Sequence, residues 1–81
     1  MLHKNSIPLT EAPIGCLLTL ATIQGGQKFR RRLVELGLTP GISLKVLQDS
    51  GGPLILAVRD SRLAIGRGMA EKMTVVPIKA A

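Results

Sequence analysis

The chain has 81 residues, 46% of them hydrophobic and 1% aromatic, and carries a net charge of +6 from 11 Lys plus Arg against 5 Asp plus Glu. That length holds one small domain with a thin core, and the apolar fraction is that of a folding globule. Cys16 is the single cysteine and His3 the single histidine, which excludes an intrachain disulfide framework, a Cys/His zinc cluster and a well-supplied Ser/His/Asp triad.

In chain order, residues 1–8 read as a polar arm in which Ile7 could dock, and residues 9–79 as a single domain. Leu9 to Gly15 reads as a short turn, with Thr10 able to cap it and Gly15 ending it. Cys16 to Ile23 is apolar and β-branched, which predicts a first strand with Cys16 buried at its start. Gly25-Gly26 breaks that strand. Across 27–36 the period changes: Phe29, Leu33 and Leu36 fall within about 60° on a helical wheel and form one apolar stripe. Arg31 points to the opposite side, with Arg30 and Arg32 flanking. Gly37 stands where a left-handed C-cap is expected, and Pro40-Gly41 suits the central positions of a type II turn.

A meander follows. Residues 43–49 alternate, Ser50-Gly51-Gly52 turns the chain, and 53–59 form a further strand. Asp60-Ser61 reads as a tight turn into 62–67, residues 68–72 as one helical turn, and 73–79 as the closing strand. The longest apolar run, Leu54 to Val58, has strand length and falls far short of the roughly 18 residues that span a bilayer. The pattern predicts a mainly β fold: a small, partly open five-stranded barrel with one helix inserted after the first strand.

Arg32-Leu33-Val34-Glu35-Leu36-Gly37-Leu38-Thr39-Pro40-Gly41 resembles the R-L-x-x-L-G-[apolar]-x-P-G signature of the FeoA (ferrous iron transport protein A) family. Leu9 to Gly15 resembles that family's opening L-x-x-x-x-x-G, and Leu63 to Val75 its closing block. The likeness covers roughly residues 9–78. It implies an SH3-like barrel and a cytoplasmic accessory protein of bacterial ferrous iron uptake. The implied partner is the cytoplasmic GTPase region of the FeoB membrane transporter, which would recruit the chain to the inner membrane face. Arg30-Arg31-Arg32 is more basic than the motif requires.

The candidate chemistry is that of a binding surface. Arg30 and Arg31 could meet an acidic partner or phosphates, or lie on a solvated face where Arg31 pairs with Glu35 at i+4. Three consecutive arginines fan over about 200° of a helix and cannot form one flat patch. Leu38 at the helix exit is either a C-cap contact or an exposed partner anchor. Gly66-Arg67-Gly68 lacks the third glycine of a dinucleotide loop and the Gly-Lys-Ser/Thr of a P-loop, so no direct nucleotide site is expected. The five carboxylates at 11, 35, 49, 60 and 71 are scattered singly, and Met69 and Met73 read as core filling, so neither a metal site nor another cofactor is expected. No acid/base or nucleophile pair assembles, which argues against an enzyme. The alternative is a small basic barrel that binds nucleic acid, although Phe29 alone offers no stacking platform. Self-association as a homodimer, through an apolar edge or helix face, is left open.

Overall fold

The computed structural model describes residues 6–78. Nine elements follow in order: β1 (Ile7–Pro8), a 3-10 turn (Leu9–Glu11), β2 (Leu18–Ile23), α1 (Gln27–Glu35), β3 (Ser43–Asp49), β4 (Leu54–Val58), β5 (Ser61–Ile65), α2 (Arg67–Ala70) and β6 (Met73–Pro77). The strands form one six-stranded sheet in the order β1-β6-β2-β3-β4-β5, with every pairing antiparallel. β3 serves both halves: Ser43 and Leu44 pair with β2, while Lys45 to Asp49 pair with β4. The end strands β1 and β5 do not pair, so the SH3-like barrel stays open.

Alternation along the strands builds the core. Leu18, Leu20 and Ile23 of β2, Leu44 and Val46 of β3, and Leu54, Leu56 and Val58 of β4 are buried. Leu33 of α1 and Leu9 of the 3-10 turn close over them at 0% exposure. Each fully buried leucine contributes about 1.5–3 kcal/mol relative to an exposed one. Met73 is fully buried and Met69 packs partly buried against the same cluster, as core filling requires.

Four details differ from the expected pattern. Ile7 and Pro8 form a strand against Val75 and Thr74, giving a sixth strand and extending the sheet before position 9. β2 begins at Leu18, and Cys16 lies in the irregular segment before it, exposed rather than buried. The β4–β5 loop is Arg59-Asp60, because Val58 pairs directly with Ser61. The fourth is at the end of α1, where Leu36 is exposed and Leu38 is buried. His3 and Lys79 lie outside the described residues.

Candidate functional site

The helix α1 and its exit carry the expected functional residues, and local backbone chemistry fixes their geometry. Gly26 is the N-cap of α1, which therefore has no side-chain cap. Gly25 sits at φ +131, and a Cβ there would come within 2.8 Å of the Phe29 ring. Glycine therefore both breaks β2 and admits the aromatic. Lys72 lies 5.1 Å from the Phe29 ring centroid, a cation–π contact that covers the single aromatic.

The exit is a Schellman turn. Gly37 takes φ 84. The Leu38 N–H donates to Leu33 O at 2.8 Å and the Gly37 N–H to Val34 O at 2.9 Å, which satisfies carbonyls the helix end would leave bare. The expected type II turn follows: Gly41 has φ 97, and the Ile42 N–H donates to Thr39 O at 3.2 Å. The Gly41 N–H then donates to Leu20 O at 2.7 Å and the Leu20 N–H to Ile42 O at 2.9 Å, so the turn is sewn to β2.

This reversal exchanges two leucines. Leu38 is brought back over Leu33 and is 0% exposed, while Leu36 at the C-cap is 39% exposed. Leu38 is thus the C-cap contact and cannot be an exposed anchor. The large apolar side chains exposed on α1 and its C-cap are Val34, 56% exposed, and Leu36. Straight helical periodicity assigns Leu36 to the core because it takes no account of the turn.

The arginines separate in the same way. Arg30 folds back, and its Nη2 donates to Ile23 O at 2.9 Å at the end of β2. It holds the helix against the end of β2 beside an open groove lined by Ala21, Val34 and Pro40. Arg31 and Arg32 are exposed and gather with Lys28 and Glu35 on the outer helix face. No Arg31–Glu35 ion pair forms; among the described residues the ion pair present is Arg67–Asp49. Arg67 also donates from Nε to the carbonyls of Gly51 at 3.0 Å and Gly52 at 3.2 Å. With Asp49 accepting the Gly51 N–H at 3.1 Å, it clamps the β3–β4 hairpin tip, a structural task.

Among the described residues no three or more His, Cys, Asp or Glu side chains gather to hold a metal ion. No described helix is long and apolar enough to cross a membrane. The helix and its exit present a basic and aliphatic surface.

Comparison with known proteins agrees with the fold and with the motif at the helix exit. A Methanocaldococcus jannaschii protein named as Fe(2+) transport protein A is 38% identical over 68 residues, spanning 84% of this chain and 83% of the relative. A crystal structure of an iron uptake regulatory protein (FeoA) superimposes with a TM-score of 0.84 at 38% identity, over 90% of this chain and 99% of that one. A manganese-dependent transcriptional repressor solved with manganese also gives a TM-score of 0.84, over 94% of this chain but 38% of its own, and at 20% identity it shares the fold alone. The family model described as FeoA domain matches residues 7–77, and this chain belongs to the FeoA family.

Proposed function

We propose that this chain is a cytoplasmic accessory protein of ferrous iron uptake that binds rather than catalyses. It docks through the outer face of α1 on the cytoplasmic GTPase region of a FeoB-type transporter, which recruits it to the inner membrane face. Family membership and the relative named for Fe(2+) transport support the process. The observation that carries the surface is Arg31, without an ion-pair partner among the described residues, with Val34, 56% exposed, on one flank of the helix and Leu36, 39% exposed, on the other. Exposed arginine bordered by aliphatics suits a partner that is acidic at its centre and apolar at its flanks. Such docking changes the transporter's cycle only through unequal affinity for its states, so binding depends on the nucleotide the transporter holds. Nucleic-acid binding, the other reading of the charge, gains nothing from Phe29, which is half-buried beneath Lys72.

The variants Arg31→Ala and Val34→Ser/Leu36→Ser test the surface by calorimetric titration with the GTPase region. Each weakens binding at least tenfold, about 1.4 kcal/mol or more, with the circular dichroism spectrum unchanged. Full affinity in both folded variants would remove the helix face from the interface.

A further inference from the structure

We propose that the outer face of the sheet around Lys45 and Arg59 seats directly on a bilayer of anionic lipid, with neighbouring aliphatic side chains entering the interface. Among the described residues, Ile14, Leu17, Leu47 and Ile78 are exposed by 57%, 42%, 37% and 42%. They come from four separate segments that the sheet brings together. The Gly15 N–H donates to Val46 O at 2.9 Å, which ties the Ile14–Gly15 turn to β3, and the Ile78 N–H donates to Leu17 O at 3.0 Å. On β3, Ser43, Lys45 and Leu47 alternate outward against the buried Leu44 and Val46.

The same face is basic. Lys45 pairs in register with Ala57, and Ala57 with Arg62, so a small side chain separates two cations across three strands. Leu17, Ser43, Lys45, Ala57 and Arg59 line an open groove of about 650 Å³ that no carboxylate enters. Asp60, next to Arg59 in the hairpin, is the acidic residue nearest in sequence. Among the described residues none of Lys45, Arg59 and Arg62 has an ion-pair partner. Arg59 also holds φ 56 in a two-residue hairpin loop, a position that favours Gly, Asn or Asp. A cation kept at that backbone cost points to a use for its side chain.

A bilayer fits these observations better than an acidic protein does. A protein hot spot needs a desolvated pocket around its anchor. Here the aliphatics come from a turn (Ile14), the residue before β2 (Leu17), the β3 bulge (Leu47) and the residue after β6 (Ile78). Each can enter a lipid interface independently, and headgroup charge attracts Lys and Arg without fixed partner geometry. The proposal requires no contact with the transporter, so it stands or falls separately from docking through α1.

Flotation with vesicles of equimolar phosphatidylglycerol and phosphatidylcholine, against vesicles of phosphatidylcholine alone, tests it on the full chain at physiological ionic strength. The wild type floats with the anionic vesicles and not with the neutral ones. Lys45→Ala/Arg59→Ala lowers partitioning about 25-fold, roughly five-fold per basic residue, and Leu17→Ser/Ile78→Ser also lowers it. Arg31→Ala/Arg32→Ala, which removes equal charge from the helix, lowers it less. Arg59→Gly keeps the turn geometry, so it loses partitioning with no fall in thermal midpoint. No wild-type flotation, equal flotation on neutral vesicles, or equal loss from the helix variant would overturn the proposal. So would displacement by free glycerol phosphate, which marks a small-anion site. Intact flotation of Lys45→Ala/Arg59→Ala with lost binding to the GTPase region would make the face a protein interface and equally defeat the lipid assignment.

Discussion

The helix exit and the β4–β5 hairpin solve the same problem with opposite residues. At the exit the chain reverses through positive φ at Gly37 and Gly41, and no atom lies within 4 Å of where either would carry a Cβ. Glycine is needed there for conformation alone. At the hairpin the chain reverses through Arg59 at φ 56, where a glycine would serve the backbone better. The first region is built to place side chains around it, sending Leu38 inward and leaving Val34 and Leu36 outside. The second accepts an uncommon backbone to keep a cation at the end of the sheet. Backbone need and side-chain need can thus be told apart by which residue occupies a left-handed position.

That comparison is most strongly tested at Leu38. Leu38→Ala removes a side chain with 0% exposure and is expected to cost about 2–5 kcal/mol in denaturant unfolding. Leu36→Ala, two positions earlier, is expected to change stability by less than about 0.5 kcal/mol. Similar costs for the two would mean that the Schellman turn does not set which leucine is buried. The next largest effect belongs to the glycines. Gly37→Ala and Gly41→Ala meet no steric obstruction, so each is expected to lose only the left-handed preference, about 1–2 kcal/mol by the same unfolding measurement. The smallest effect has the opposite sign: Arg59→Gly is expected to raise stability by about 1 kcal/mol or less, since relief at φ 56 is partly offset by the freer unfolded chain. A clear loss of stability in Arg59→Gly would show that the arginine is retained for the fold.

The parts of the molecule legible in the sequence are those set by local chemistry. Gly37, Pro40 and Gly41 determine the exit over five residues, and the alternation of β3 and β4 determines their buried faces. The resemblance to the FeoA family rests on three such local blocks in order, residues 9–15, 32–41 and 63–75. What sequence could not supply depends on contacts remote along the chain. β1 exists only because Ile7 and Pro8 meet Val75 and Thr74. Arg67 reaches Asp49 and the hairpin tip across a separation no motif encodes. Arg30 resembles Arg31 in type and position, yet its bond to Ile23 O ties it to the end of β2. The continuous apolar run from Cys16 conceals where the strand starts, and so conceals that the thiol is exposed. For the candidate surface, charge indicated the helix correctly as a basic element, but which leucine faces outward is a property of the turn in space.

The most direct measurement is an NMR titration of isotope-labelled protein with the transporter's cytoplasmic GTPase region, with and without a GTP analogue. The account predicts shifts concentrated on residues 31–36, larger in one nucleotide state than in the other. Saturable binding whose shifts miss those residues, or centre on Lys45 and Arg59 instead, would contradict it.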